Sequence, residues 1–144
     1  MASFELYGFD GLQDALQKIR DIPFDVMEKA LDGMGQVAAE KIRDTGAAMG
    51  VRDPESNEHI LDRIKRAKAK KTDSGGYENI TFRGSRRRGG NSTRNAEIAF
   101  VNEYGKTGQP ARPFIATALA QYEDQITAPA EDIIGDWIEK EFQS

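Results

Sequence analysis

Two glycines and two prolines, close together in the second half of the chain, constrain the fold more than any other feature of this sequence. Gly105 and Gly108 permit a turn. Pro110 and Pro113 each fix a φ angle and push the preceding residue out of the α region. The chain is therefore predicted to run extended here. Because proline also suits the first position of a helix, the sequence predicts a stiff corner that leads directly into a helix at Pro113.

The residues before this corner, 95–104, alternate between apolar and polar side chains. Ala96, Ile98 and Phe100 fall on one face, and Glu97 and Glu103 fall on the other. A period of two is typical of a half-buried strand. The sequence therefore predicts a strand over residues 95–104.

Residues 77–83 also alternate, which predicts a second strand, antiparallel to the first, with Ile80 and Phe82 pointing inward. Residues 84–94 lie between the two segments. Because this connection is longer than a tight hairpin turn and too polar to bury, it is expected to be a mobile basic loop. Long loops held on a rigid hairpin often carry function, so the basic residues of this loop are candidate site residues. Its candidate contact residues are Arg83, Arg86, Arg87, Arg88 and Arg94.

Helical spacing of apolar residues marks most of the remaining chain. A long amphipathic helix is predicted after Pro23, with apolar residues at intervals of three and four. Residues 53–71 are predicted to form a turn and then a helix that ends in the basic run 65–71. A short strand or arm is expected at residues 4–9, and a short helix at 12–19. The apolar stripe of the long helix consists of Phe24, Met27, Leu31, Met34, Ala38 and Ile42.

The segment after the corner is predicted to be helical, with Pro129 producing either a kink or a fresh start. Its last part carries large apolar residues among acids, including Trp137 and Phe142. These two side chains either pack within the subunit or form a subunit interface. The elements together predict a single α+β domain over residues 1–144. In it a small antiparallel sheet of about three strands packs against the long helix and a C-terminal helix.

The charges are segregated along the chain, although the net charge of the 144 residues is only -4. Residues 61–94 carry 11 basic and 3 acidic side chains, whereas residues 121–144 carry 7 acidic and 1 basic. Copies of such a chain can associate basic region to acidic region, in a head-to-tail ring. The basic region is equally suited to nucleic acid, or it is a solvated loop without a partner.

No group of residues predicts catalysis, a metal site or a cofactor site. The chain has no cysteine, and its one histidine is His59. Residues 33–38 resemble a dinucleotide motif but lie within the predicted long helix, and residues 105–107 lack the first glycine of a phosphate loop. On a strand, Glu97 and Glu103 lie about 20 Å apart, too far for a carboxylate pair. We therefore expect a protein without enzymatic activity, small-molecule substrate or membrane span.

The corner carries a resemblance to a known family. Phe-Val-Asn-Glu-Tyr-Gly at residues 100–105, followed by Gln-Pro-Ala-Arg-Pro-Phe at 109–114 and an alanine-rich helix, resembles the C-terminal motif of the tail-completion, or head-tail joining (neck), family of siphophages and prophages. The resemblance implies a non-enzymatic α+β subunit that assembles into a ring, with sixfold symmetry to match the tail. The motif residues are Glu103, Tyr104, Gly105, Pro110, Arg112, Pro113 and Phe114.

The same resemblance implies a use for the basic loop at 84–94, which is contact with an adjacent ring or subunit, or projection toward the channel that DNA traverses. It also implies partners and a location. The partners are other copies of the chain, a head-connector or stopper protein, a tail-tube or tail-terminator protein, and the DNA that crosses the channel. The location is the head-tail interface of the virion, and the bacterial host cytoplasm during assembly. The competing hypothesis is a nucleic-acid-binding protein that uses residues 63–94. Within the motif, Arg112 is expected either to form a bidentate bond with Glu103 or stack on Tyr104, or to be presented to the next subunit.

Overall fold

A long helix, α1 (Phe24–Ala48), provides much of the surface on which the other elements pack. The computed structural model describes residues 22–53, 59–73, 75–88 and 90–143. Within these residues three further helices follow, namely α2 (Asn95–Tyr104), α3 (Phe114–Gln121) and α4 (Glu123–Gln143), together with a short 3₁₀ helix at Ile60–Arg63. The helix predicted after Pro23 is confirmed as α1.

Six short strands in the described residues form three separate antiparallel pairs. β1 (Ile64–Arg66) pairs with β4 (Ile80–Phe82), so that Ile64 lies opposite Phe82. β2 (Lys70–Thr72) pairs with β3 (Gly75–Tyr77). β5 (Ser85–Arg88) pairs with β6 (Asn91–Arg94). The predicted α+β class, with antiparallel strands against a long helix and a C-terminal helix, is confirmed, although the strands form three two-stranded sheets rather than one sheet of about three strands.

The core lies between α1, the β1–β4 pair and the C-terminal helices. The Lys41 ammonium sits 4.6 Å from the ring centre of Tyr122, while Gly33 contacts Pro129, so α4 runs antiparallel to α1. The largest fully buried side chain belongs to Phe114, at the first residue of α3. Its ring meets that of Phe82 edge-on, with 5.9 Å between centroids. This contact joins the corner to the β1–β4 pair.

The predicted strand over residues 95–104 is wrong, because these residues form helix α2. The buried positions recur at intervals of three and four, as a helix requires. Phe100 was assigned to the inner face and is instead 53% exposed. The strand prediction failed because the buried face of α2 is partly polar: it consists of Asn95, Ile98, Ala99, Asn102 and Glu103.

The predicted helix over residues 53–71 is also wrong in the part that the structure describes. Ile60 and Leu61 are buried by the 3₁₀ helix, and the chain then extends into β1 and β2. β1 takes the place beside β4 that was predicted for residues 95–104. The spacing of Ile60, Leu61 and Ile64 is compatible both with the predicted helix and with the observed turn and strand, since short apolar runs do not distinguish helix from strand.

The basic segment 84–94 is a β-hairpin rather than a loop without secondary structure. Arg88 pairs with Asn91, which leaves only residues 89 and 90 between the strands. Gly90 has a φ of 88°, a conformation that glycine adopts at little cost and that two-residue hairpin turns require. Gly90 therefore marks a turn at the end of the hairpin, which the length of the connection did not predict.

The remaining expectations concern two prolines and the N-terminal segment. Pro129 lies inside α4, which continues on both sides of it, and the break falls instead at Tyr122 between α3 and α4. Pro113 is the N-cap residue of α3 rather than its first residue. The predicted strand at residues 4–9 and the predicted helix at 12–19 lie outside the described residues. No helix in the described part of the chain is long and apolar enough to cross a membrane.

Two helical glycines give a matched test of this packing. A Cβ on Gly33 would lie 2.9 Å from the Pro129 Cβ, whereas a Cβ on Gly135 meets no atom within 4 Å. We expect Gly33→Ala to lower the free energy of unfolding by about 1–3 kcal/mol, because the two helices must move apart. Gly135→Ala is expected to raise it by about 0.5–1 kcal/mol, because alanine favours the helix. Urea denaturation of both variants checks this, and equal effects would contradict the packing of α1 on α4.

Candidate functional site

The corner between α2 and α3 is held by the carboxylate of Glu103. Glu103 lies in the last turn of α2 and is 8% exposed. Its Oε2 accepts a hydrogen bond from the Ile115 N–H at 2.8 Å, and its Oε1 accepts one from the Ala116 N–H at 3.0 Å. These are unpaired N–H groups of the first turn of α3, where Pro113 provides no side-chain cap. Glu103 therefore caps α3 from another helix and places a negative charge at its positive end.

Asn102 connects the same corner to the end of α1. Its Oδ1 accepts a hydrogen bond from the Arg52 N–H at 2.7 Å, and its Nδ2 donates to the carbonyls of Arg52 and Ile98, both at 2.9 Å. The Asn102 carbonyl accepts from the Arg112 N–H at 2.6 Å. Because the Asn102 side chain is fully buried, these bonds hold together three segments that are distant in the sequence. The sequence analysis did not single out Asn102, although it stands directly before Glu103 in the motif.

The glycines behave as the sequence predicts. Gly105 has a φ of 77°, and a Cβ there would lie 2.8 Å from the Ala111 backbone nitrogen. Gly108 has a φ of 81°. On either side of Thr107 and Gly108, Lys106 and Gln109 exchange backbone hydrogen bonds of 3.0 and 2.9 Å, which close a turn. The prediction of a stiff corner is consistent with this geometry.

The predicted contacts of Arg112 are not formed. Both carboxylate oxygens of Glu103 accept bonds from α3, and Tyr104 packs on Phe100 rather than on the guanidinium. Arg112 contributes through its backbone, and its Nη1 is buried without a hydrogen-bond partner among the described residues. The alternative use of Arg112, presentation to another subunit, stays a prediction.

Two aromatic side chains on the outer side of α2 stand in solvent. Phe100 and Tyr104 are 53% and 68% exposed, and their ring centroids are 4.7 Å apart. They are four residues apart and therefore neighbours on one helix face. Large exposed apolar residues in contact with each other are typical of interaction surfaces. This aromatic pair is the main exposed apolar feature of the corner.

The arginines of the hairpin separate into two groups. Arg86 Nη1 forms an ion pair with Asp53 Oδ1 at 2.6 Å, and its Nε donates to Asn95 Oδ1 at 2.9 Å. The Asp53 carboxylate is only 1% exposed and also accepts from the Ile60 N–H. Arg86 therefore anchors the hairpin inside the subunit, so the prediction that it faces DNA or an assembly partner is wrong.

The other arginines of this segment are exposed, as predicted, wherever the structure describes their side chains. These are Arg83, Arg87 and Arg94; the side chain of Arg88 is not among those described. Arg87 lies opposite Ser92, and Arg94 lies opposite Ser85. Since facing residues and residues two apart share one side of a hairpin, Arg87 and Arg94 lie on the same exposed face.

A buried carboxylate lies apart from the corner. Glu78 is 5% exposed, and Arg66 Nη1 lies 3.1 Å from its Oε1 and 2.8 Å from Asp32 Oδ1. Burial raises the pKa of the Glu78 carboxyl above its ordinary value, and the Arg66 charge opposes that effect. The cluster joins β1 and the residue after β3 to α1, where Gly35 leaves space for the carboxylate. These ion pairs hold the strands against α1, which is a structural role.

Two clefts in the described part of the chain are partly open to solvent. The larger, about 590 Å³, lies beside α2 and is lined by Arg52, Glu97 and Lys106 above the apolar Ile98 and Val101. Because residues 95–104 form a helix, the strand distance used to reject a Glu97–Glu103 pair does not apply. Glu103 is nevertheless occupied with α3, whereas Glu97 is exposed. Among the described residues there is no cluster of three His, Cys, Asp or Glu side chains suited to a metal ion.

Trp137 is half-buried. Its spacing from Ala130 and Ile134, which are buried, puts it on the side of α4 that faces the core. The side chain of Phe142 lies outside the described side chains. The predicted use of these two residues as a subunit interface is not decided by this placement.

Comparison with known proteins assigns this chain to no family. No protein-family model matches the chain, and no curated protein or solved structure matches it. The resemblance of residues 100–114 to the head-tail joining family therefore stays a prediction.

Replacing Glu103 tests the cap. Glu103→Ala is expected to lower the free energy of unfolding by about 1–2 kcal/mol, because the first turn of α3 loses the acceptors for two N–H groups. Glu97→Ala, on the exposed side of the same helix, is expected to change it by at most about 0.5 kcal/mol. Chemical denaturation measures both, and the cap is contradicted if the two variants are equally stable.

Neighbouring arginines on β5 give a second matched pair. Arg86→Ala leaves the buried Asp53 carboxylate without its ion pair and is expected to cost about 3–5 kcal/mol of stability. Arg87→Ala removes an exposed side chain and is expected to change stability by at most about 0.5 kcal/mol. Thermal unfolding of the two proteins distinguishes them, and a stable Arg86→Ala variant would show that the hairpin has another anchor.

Proposed function

We propose that this protein is a structural subunit of a phage or prophage neck, which assembles as a ring and joins the head connector to the tail. The proposal rests on the resemblance of the corner motif to the head-tail joining family. One structural observation supports it: the stiff corner presents the Phe100–Tyr104 pair to solvent while Asn102 and Glu103 bond inward. A rigid corner with an exposed apolar face is what a self-assembling subunit needs.

The proposed ring is sixfold, and its neighbours are a connector or stopper on one side and a tail-tube or tail-terminator protein on the other. The proposed location is the head-tail interface of the virion, after synthesis in the bacterial host cytoplasm. DNA passes through the ring, and no catalytic step, cofactor or small-molecule substrate is part of the proposal.

A second candidate is a nucleic-acid-binding protein that uses residues 63–94. It is favoured by the exposure of many basic side chains in that region, which form no ion pair with an acid in the part of the chain that the structure describes. Binding of DNA across a salt series discriminates between the two, because several phosphate contacts make the affinity fall steeply with salt. The exposed basic residues are Lys65, Lys68, Lys70, Lys71, Arg83, Arg87 and Arg94.

Deleting the gene from the phage or prophage that encodes this chain tests the first proposal. We expect induced cells to contain separate filled heads and separate tails in negative-stain electron micrographs, and joined particles to return when the intact chain is supplied in trans. The proposal is overturned if the deletion leaves the yield of joined, infectious particles unchanged.

Substitution of hairpin arginines tests whether the exposed hairpin face takes part in assembly. A simultaneous change of Arg86, Arg87 and Arg88 is unsuitable, because the loss of the Arg86 anchor would impair folding and so reduce the yield of joined particles whether or not the face takes part. The double variant Arg87→Ser, Arg94→Ser leaves that anchor intact, and a folded variant that supports fewer joined particles indicates a role of the exposed face in assembly.

A further inference from the structure

We propose that the aromatic pair on α2 docks on the outer face of α4 of a second copy of this chain. This inference rests on the proposed ring and names the contact that closes it. The docking surface is Phe100 and Tyr104, together with Arg94 and Lys106 at the two ends of α2 and Arg87 on the hairpin face that carries Arg94. The receiving surface is the acidic outer face of α4, centred on Gly135.

The receiving surface is a continuous stripe of one charge. Asp124, Glu131 and Glu139 recur at intervals of seven and eight, and Asp132 and Asp136 lie on the adjoining side of the same helix face. All five are exposed. None of them forms an ion pair within the part of the chain that the structure describes. The stripe therefore keeps its charge available for another molecule.

The centre of this stripe is flat. Gly135 has no side chain, and a Cβ built on it meets no atom within 4 Å. No described residue of the same subunit therefore covers this turn of the helix. A bare helix turn admits the flat face of an aromatic ring, as close packing at interfaces requires.

The docking surface has the complementary character. Arg94 directly precedes α2 and Lys106 follows it by two residues, so cations lie near both ends of the helix that carries the aromatic pair. Arg87 shares the exposed hairpin face with Arg94. Among the described residues none of these three cations has an ion-pair partner. Glu97 is the one exposed acid on this side, and it lines a cleft together with Arg52 and Lys106.

The two surfaces also match in length. A helix of ten residues such as α2 spans about 15 Å, and the eight residue steps from Glu131 to Glu139 span about 12 Å. Cations at both ends of α2 therefore reach acids at both ends of the stripe while the rings lie over Gly135. Because the two surfaces differ, the contact is heterologous, and repetition generates a closed ring or a filament.

The absence of cysteine from the chain makes the contact directly measurable. We would combine Tyr104→Cys with Gly135→Cys in one chain and treat the folded protein with a short bismaleimide. The expected result is a ladder of covalent oligomers, since each subunit joins one neighbour through each surface. Equal mixing of the two single variants is expected to give heterodimers. The matched control, Gln36→Cys with Gly135→Cys, uses an exposed position on α1 and is expected to give no ladder.

Charge reversal tests the electrostatic part. Arg87→Glu with Arg94→Glu is expected to lower the cross-linking yield about tenfold, because two attractions become repulsions. Glu131→Lys with Asp136→Lys, placed in the partner subunit, is expected to restore it. A ladder no stronger than the control overturns the inference, as does a reversal that abolishes DNA binding and leaves the yield unchanged.

These outcomes are separate from those of the proposed function. Loss of joined particles on gene deletion, together with no ladder, retains the neck proposal and rejects this contact. A ladder together with normal particle yield retains the contact and rejects the neck.

Discussion

The carboxylate of Glu103 at the first turn of α3 is the interaction on which the corner depends. Pro113 supplies no side-chain cap, and prolines at 110 and 113 remove two backbone donors from this short segment. A charge from α2 satisfies the helix end instead, and Asn102 joins the same corner to Arg52. Since Asn102 and Glu103 must face inward, helical geometry places Phe100 and Tyr104 outward. The exposed aromatic pair is thus a consequence of how the corner is held.

Sequence patterns predicted the fold best where a long apolar stripe is buried. The long helix α1 shows an apolar stripe, and its prediction held because hydrophobicity and burial agree along it. Helix α2 was missed because its buried face contains Asn95, Asn102 and Glu103, which a hydrophobic pattern assigns to the surface. These residues are buried because they form hydrogen bonds with Arg83, Arg52 and α3. The partners are distant in the sequence, so a local hydrophobic pattern does not reveal them. Buried polar residues are therefore where periodicity misleads.

The hairpin shows a related limit for charge patterns. Arg86 and Arg87 are adjacent and identical in type, yet one is bonded to a buried Asp53 and the other is exposed. Alternation along a strand separates them once the strand is known. The glycine pair at 89–90 was the signal for that strand, and it was read as part of a loop. The composition located the basic region, but it did not distinguish Arg86, which anchors the hairpin, from Arg87, which is exposed.

The charges that hold the hairpin are buried, whereas the other charges of the hairpin and those of α4 are exposed, so salt affects the two groups differently. The Arg86–Asp53 pair is nearly inaccessible to water, so dissolved salt screens it little. The charges of the exposed hairpin face and of the α4 stripe stand in solvent, where physiological salt screens interactions beyond about 8 Å. Rising ionic strength therefore screens the charges of the exposed hairpin face and of the α4 stripe, while the corner and the hairpin keep their internal bonds. If the chain forms the proposed ring, its contacts are expected to weaken at salt concentrations that leave the fold intact.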